Sequence, residues 1–186
     1  RSSDQKKIIK HFKKIIKFAR FLGCKNLVFG SPSFRRINST NYKNLQKNLL
    51  NIFKNIKKDL VKNDVTVSIE PNPKKYGCNF INKLKEANTI VKKIKSNKIK
   101  IQLDAAGTQL EKDNINNISK YFNEINHVHL SKKNLIKLKK NNFHIKKIIK
   151  ILKKRKWKKW VSIEMMNLRI KDIESTMKFI SKAILR

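Results

Sequence analysis

The chain has 186 residues, with 47 lysines and arginines against 12 acidic residues and a net charge of +35. This length is enough for one domain with a hydrophobic core, and we expect a single domain over residues 1–186. The sequence has no apolar run of about 18 residues and no signal-peptide pattern, which argues against a membrane span and favours a cytoplasmic protein.

Most of the positive charge comes from lysine. Lysine supplies 40 of the 47 basic residues and is spread over all the predicted helices, whereas arginine, the usual reader of bases and phosphates, occurs only 7 times. We therefore expect a solvated surface without a specific nucleic-acid partner, and binding of polyanions through charge stays an alternative. The two cysteines, Cys24 and Cys78, are far apart and form no CxxC pair, so neither a zinc ribbon nor a disulfide is indicated.

Helix and strand patterns alternate along the chain. Apolar residues at three- and four-residue spacing predict helices, and short β-branched or aliphatic runs predict buried parallel strands. In chain order the prediction is helix 4–22, strand 26–30, helix 42–62, strand 65–70, helix 82–95, strand 99–104, helix 115–122, strand 127–130, helix 143–154, strand 160–164 and helix 170–184. This alternation predicts an α/β fold with a parallel sheet whose strand C-termini lie on one side. Five βα units are too few for a closed eight-stranded barrel, and with only 4 glycines the chain lacks the fingerprint of a doubly wound nucleotide-binding sheet.

Four side chains that can bind metal come at the ends of predicted strands. They are Glu70, Asp104, His129 and Glu164, separated by 34, 25 and 35 residues. Each interval is close to one βα unit of roughly 30 residues, so consecutive parallel strands would bring the four groups to one rim. Carboxylate oxygens with one imidazole nitrogen suit Mn²⁺, Mg²⁺ or another borderline divalent ion. The sequence therefore predicts a metal site at this rim.

Other interpretations of these residues stay open. Glu70 and Glu164 would also be acceptable as surface acids at strand ends, and Asp104 could cap the turn that follows it. His129 could be an ordinary buried histidine. His127 lies two residues earlier on the same face, so one of the two histidines could support the other.

Five segments, taken in order, resemble the xylose isomerase-like TIM-barrel superfamily of sugar isomerases, epimerases and endonuclease-like proteins. They are the segment from Ala19 through GCKNLVFGSPS, SIEPNPKKYGCNFI, IQLDAAG, HVHLS and WVSIEM. The resemblance covers essentially the whole chain and implies strands four to eight of a (β/α)8 barrel, a partial barrel without the first three βα units. We therefore expect a barrel domain that is incomplete at the N-terminus, where the sequence begins with Arg1 instead of Met.

The resemblance also implies roles for the strand-end residues. Glu70, Asp104, His129 and Glu164 stand at the family's four metal-ligand positions, for Mn, Mg, Co or Zn, and Glu70 and Glu164 correspond to the acid–base pair of its isomerases and epimerases. The chain departs from the family at Gly107, where many members carry a histidine. It also lacks the Gly-rich turn that the endonuclease branch carries after the third ligand, which argues against a DNA-repair function.

The function that follows is a divalent-metal-dependent isomerase or epimerase acting on a small sugar or sugar phosphate. One glutamate would remove a proton next to a carbonyl group and the other would return it. Candidate substrate-binding residues are Arg35, Asn72, Tyr76 and His127. Two alternatives stay open, a metal-dependent hydrolase, endonuclease-like protein or lyase on the same scaffold, and a non-catalytic basic domain that binds anions. No membrane partner is expected, and a homo-oligomer is left open.

Overall fold

The computed structural model describes residues 2–32, 35–37, 41–166 and 169–185. Its seven helices are α1 (Ser2–Phe21), α2 (Tyr42–Asn63), α3 (Leu84–Ile94), α4 (Ala105–Leu110), α5 (Asn116–Lys120), α6 (Phe143–Lys154) and α7 (Ile170–Leu185). Its five strands are β1 (Asn26–Phe29), β2 (Thr66–Ile69), β3 (Ile99–Asp104), β4 (Ile125–Ser131) and β5 (Val161–Glu164). No helix in the described ranges is long and apolar enough to cross a membrane.

The five strands form one parallel sheet in the order β1-β2-β3-β4-β5. Each strand pairs with its neighbour in sequence, and a helix-containing connection separates every pair. The carboxyl ends of all five strands therefore lie at one edge of the sheet, as predicted. This arrangement is a parallel half-barrel of the α/β class.

The two faces of the sheet differ in chemistry. Apolar residues such as Val67, Ile101 and Val128 belong to the core that packs against the helices. Residues that alternate with them, such as Ser68 and Gln102, are polar and lie on the inner face. The central strands β2 and β3 are largely buried, as predicted, whereas the edge strands β1 and β5 are only half-buried. The strands therefore present a polar surface on the side where the predicted ligands lie.

Local caps determine where several helices begin. Asn41 and Asn142 accept hydrogen bonds from the backbone N–H groups three residues later and so begin α2 and α6. Asp104 does the same for α4, with its Oδ2 accepting from the backbone N–H of Gly107 at 2.6 Å. Gly23 follows α1 with a φ of 71°, the left-handed conformation that glycine adopts most easily. Cys24 and Cys78 are free thiols.

Candidate metal centre

Three of the four predicted ligands meet at the carboxyl edge of the sheet. Glu70 directly follows β2, Asp104 is the last residue of β3, and His129 lies on β4 opposite Asp104 in the strand register. Each offers one ligand atom, and these atoms all lie within 4.8 Å of one another. Parallel pairing in this register therefore produces the convergence that the sequence spacing predicts.

Glu164 joins the group from the neighbouring strand. It is the last residue of β5, and its Oε2 lies 3.5 Å from Nδ1 of His129. Oε1 of Glu70 approaches the same nitrogen at 3.3 Å. The Glu164 side chain is 43% exposed, whereas those of Glu70 and His129 are 13% and 17% exposed. Glu164 thus faces solvent at the mouth of the group, outside the tight cluster of three.

Burial and the closeness of the three carboxylates shift the pKa values of Asp104 and His129. Burial raises the pKa of Asp104 to about 6, and nearby Glu70 and Glu164 reinforce this, while hydrogen bonds from Ser131 and Gly107 oppose it. Burial alone would lower the pKa of His129, but its contacts with Glu164 and Glu70 raise it to about 10. The carboxylates therefore favour a cation at their centre.

The donor set fits a divalent ion. Nδ1 of His129 is buried and forms no hydrogen bond, although it lies between two carboxylate oxygens. A nitrogen in that position can serve as a metal ligand, and carboxylate and imidazole donors suit Mn²⁺, Mg²⁺, Co²⁺ or Zn²⁺. Glu70, Asp104 and His129, with Glu164 beside them, are the residues that would hold the ion.

Neighbouring groups hold the two buried carboxylates in place. The Oε2 atom of Glu70 accepts a hydrogen bond from Nδ2 of Asn72 at 3.0 Å. The hydroxyl of Ser131 donates to Oδ1 of Asp104, while Gly107 donates to Oδ2. Fixed partners of this kind orient metal ligands and tune their basicity.

The four predicted substrate-binding residues lie in different surroundings. Arg35 and Asn72 are each 6% exposed, and both contact Glu70. Arg35 donates to its backbone oxygen, and Asn72 donates to its carboxylate. Tyr76 lies in a single 3₁₀ turn, where its hydroxyl accepts from the backbone N–H of Asn134 at 3.2 Å. Tyr76 thus joins the loops that follow β2 and β4.

His127 lies below the metal-ligand cluster on the inner face. Its Nδ1 is 3.2 Å from Nδ2 of Asn26 and its Nε2 is 2.7 Å from the hydroxyl of Ser162. Its ring meets the ring of His129 edge-on, with the centroids 5.0 Å apart. Burial lowers the pKa of His127, helped by His129 and opposed by Glu70.

A cleft of about 1010 Å³ opens at the other end of the sheet. His127, Asn126 and Trp160 are among its lining residues, so it lies near the amino ends of the strands, away from the cluster of Glu70, Asp104 and His129. The cleft contains none of the three clustered ligand residues, which converge at the carboxyl edge of the sheet.

The sequence pattern does not identify some of the supporting residues. Ser131 is part of the HVHLS motif, and Gly30 ends a predicted strand, but neither is predicted to support a ligand. The signal for Ser131 was present, because it follows His127 and His129 at the two-residue spacing of one strand face. Gly30 approaches Glu70 across 40 residues of sequence, and nothing local marks that contact.

Solved structures of known proteins share this fold. A D-psicose 3-epimerase, solved in the presence of D-fructose, superposes with a TM-score of 0.83 at 14% identity, covering 95% of this chain and 70% of its own. An L-ribulose 3-epimerase gives 0.82 at 14% identity, with 96% and 67% covered. The IOLI protein, solved with a bound zinc atom, gives 0.72 at 16% identity, with 95% and 68% covered.

The family comparison agrees with the structural one. No curated protein matches this chain in sequence. The family model described as xylose isomerase-like TIM barrel matches residues 1–183, which confirms the resemblance of the sequence motifs. The chain therefore belongs to the xylose isomerase-like TIM-barrel family.

Proposed function

We propose that this protein is a divalent-metal-dependent isomerase or epimerase of a sugar or sugar phosphate. The observation that carries the proposal is the convergence of Glu70, Asp104 and His129, whose ligand atoms lie within 4.8 Å of one another at the carboxyl edge of the sheet. The sugar epimerases that share the fold support the substrate class. In this proposal β1 to β5 correspond to strands four to eight of the family barrel.

The metal ligands would be Glu70, Asp104, His129 and Glu164. A bound divalent ion would polarise a carbonyl group and so acidify the neighbouring C–H bond. His129 would bind the ion through an unprotonated imidazole nitrogen. Because Glu164 and Glu70 favour the protonated ring, ion binding would require the loss of that proton.

The two glutamates would carry the proton. Glu164 is the more exposed, which suits a carboxylate that meets the substrate from the mouth of the site. Glu70 is more enclosed, and Asn72 holds its Oε2. Its Oε1, 3.3 Å from Nδ1 of His129, would be the oxygen that serves both the ion and the proton transfer. One carboxylate would take the proton from the carbon beside the carbonyl, and the other would deliver a proton to complete epimerisation or isomerisation.

The predicted substrate-binding residues differ in how they would contribute. The Tyr76 phenol lies on the loop after β2, close to the loop after β4, and could border the mouth of the site. His127 contacts the ring of His129 edge-on and would act on the substrate through that ligand, because both of its nitrogens are already engaged by Asn26 and Ser162. Arg35 and Asn72 contact Glu70 itself.

The experiment is exchange of carbon-bound hydrogen with deuterated water, followed by NMR on a panel of ketoses and their phosphate esters. The parent protein should exchange the hydrogen beside the carbonyl only when Mn²⁺ or a similar ion is present. Glu164→Gln and Glu70→Gln should each slow exchange by about 10²–10⁴-fold, the usual contribution of a positioned acid or base. Glu174→Gln is the matched control, because Glu174 is an exposed glutamate on α7 and does not belong to the group at the strand ends.

Three results would overturn the proposal. They are absence of exchange for every sugar, exchange that ignores chelators, and exchange that survives in both strand-end variants. Loss of exchange in Glu174→Gln as well would also contradict it, because the effect would then not depend on the site.

A further inference from the structure

The loop between β1 and α2 reaches across to Glu70 through a buried arginine. Arg35 is 6% exposed, and its Nη2 donates to the backbone oxygen of Glu70 at 2.7 Å and to Oδ1 of Asn72. Its Nη1 donates to the backbone oxygen of Phe80 at 3.4 Å, and the guanidinium lies 5.6 Å from the ring centroid of Phe29. Both terminal nitrogens of Arg35, Nη1 and Nη2, therefore donate to oxygens of the protein itself.

Asn72 links this arginine to the carboxylate of Glu70. A guanidinium can only donate hydrogen bonds, so the amide of Asn72 must turn its oxygen towards Arg35. Its Nδ2 then faces the other way, and it donates to Oε2 of Glu70 at 3.0 Å. The main chain of Asn72 is also fixed, because Nδ2 of Asn82 donates to its carbonyl oxygen at 2.7 Å. Arg35 therefore determines which group Asn72 offers to Glu70.

Gly30 also limits the position of the same carboxylate. A Cβ atom built on Gly30 would lie 2.7 Å from Oε2 of Glu70, closer than side-chain contacts allow. The backbone of Gly30 is not in the left-handed region, so the absence of a side chain there matters because of space. Glu70 thus lies against a flat stretch of backbone, with Asn72 holding its Oε2.

We propose that Arg35 and Asn72 are positioning residues that hold Glu70 in its ligand orientation, with Oε2 engaged by Asn72 and Oε1 directed to the metal position beside His129. This inference rests on the proposed function, since it assigns an orienting network to the same metal centre. It differs from direct substrate binding by Arg35, because a side chain that is 6% exposed and already bound to three oxygens offers little surface to a sugar or phosphate.

The test is Mn²⁺ affinity, measured by calorimetric titration without substrate. Arg35→Met keeps an apolar chain of similar length but removes the hydrogen-bond donors. It should raise the dissociation constant for Mn²⁺ about 10- to 100-fold, as loss of an orienting partner usually does. Arg36→Met is the matched control, since Arg36 is the next residue and is exposed. It should bind Mn²⁺ as the parent does.

A second variant covers the case in which Arg35→Met fails to fold. Gly30→Ala keeps an allowed backbone, and the added Cβ would clash only with the terminal carboxylate of Glu70. It should therefore leave the melting temperature nearly unchanged while weakening Mn²⁺ binding about 10-fold or more. Arg35→Lys keeps the charge but loses the planar guanidinium, so its Mn²⁺ affinity should lie between those of the parent and Arg35→Met.

The outcomes separate the two proposals. If the parent binds no Mn²⁺, the proposed function fails and the inference fails with it. If the parent binds Mn²⁺ and a folded Arg35→Met binds it equally well, only the inference is overturned. If Arg35→Met does not fold, Mn²⁺ binding by Gly30→Ala that equals the parent's overturns it. A raised KM with unchanged Mn²⁺ affinity in Arg35→Met would also overturn it, because Arg35 would then hold the substrate directly. A lower melting temperature with unchanged affinity would show a purely structural arginine and overturn it too.

Discussion

At the scale of single residues, Asp104 shows how the chain accommodates a buried acid. Asp104 is 8% exposed, and burial raises its pKa to about 6 although it accepts hydrogen bonds from Ser131 and from Gly107. Ser131 is 2% exposed and also accepts from the backbone N–H of Ala106 at 3.0 Å. One hydroxyl therefore satisfies two buried groups, the carboxylate at the end of β3 and the first turn of α4.

Ser131→Ala should destabilise the fold by about 1–3 kcal/mol, because it leaves the backbone N–H of Ala106 without its acceptor and takes a donor from Asp104. Urea unfolding measures the change. Ser181→Ala, at an exposed position on α7, is the control and should change the free energy of unfolding by no more than about 0.5 kcal/mol. Equal stability of the two variants would contradict the role given to Ser131.

Among the elements, the short helix α4 is held by the end of β3 and by α6. Asp104 caps its first turn, and from α6 the Nε2 of His144 lies 2.9 Å from the hydroxyl of Thr108. Burial lowers the pKa of His144 from its ordinary value of 6.5, Ala105 opposes this through its backbone, and Lys147 adds to the lowering. Partial burial of the ring where α6 packs on α4 therefore favours a neutral imidazole.

This neutral histidine predicts a pH dependence of stability. As the pH falls below about 6.5, the unfolded chain binds a proton at His144 before the folded chain does, so the free energy of unfolding falls until the pH is below the folded-state pKa. His144→Gln keeps a polar group that can hydrogen-bond to Thr108 but does not titrate, and its loss of stability between about pH 7.5 and 5 should be smaller than that of the parent. Urea unfolding across this range measures the difference. His11→Gln, at an exposed position on α1, should retain the dependence of the parent, and a matching loss in all three proteins would contradict the prediction.

The sequence predicts most of these elements but misses one helix and the supporting network. The five strands and the longer helices are confirmed, because their apolar spacing extends over enough residues to be distinctive. The α4 helix is missing from the prediction because its six residues, AAGTQL, are too few to show a period and follow β3 without a loop. Asp104 was predicted as a ligand, with a capping role left open, and its contact with Gly107 confirms the cap.

Boundaries and long-range contacts account for the other differences. β4 runs over Ile125–Ser131, beyond the predicted 127–130, because pairing with β3 and β5 extends it. The contact of Arg35 with Asn72 joins segments 37 residues apart, and no local pattern encodes which partner a loop arginine meets. The convergence of Glu70, Asp104 and His129 was predictable because parallel strands of regular spacing leave a single geometry for their ends.

At the scale of the whole molecule, positive charge exceeds negative charge by 35. Some lysines are paired, as where Lys25 and Lys98 both bind Asp64 and lower its pKa to about 2. With 12 acidic residues against 47 basic ones, the surface must still attract anions. We expect this attraction to be general, since lysine is spread through the helices.

Short duplex DNA should accordingly bind weakly, with the same affinity for unrelated sequences, and should be released steeply as salt rises. Fluorescence anisotropy of two duplexes of different sequence, at low and at physiological ionic strength, measures this. Tight and sequence-selective binding at physiological salt would instead favour a nucleic-acid partner over a small sugar.

The proposed function requires that the carboxyl edge of this half-barrel binds one divalent ion through Glu70, Asp104, His129 and Glu164. Anomalous diffraction from crystals of the protein grown with Mn²⁺ tests it most directly. We expect one anomalous peak within about 2.0–2.4 Å of ligand atoms from these four residues, with Oε2 of Glu70 still held by Asn72. An empty edge at saturating Mn²⁺, with His129 still against Glu70 and Glu164, would contradict it.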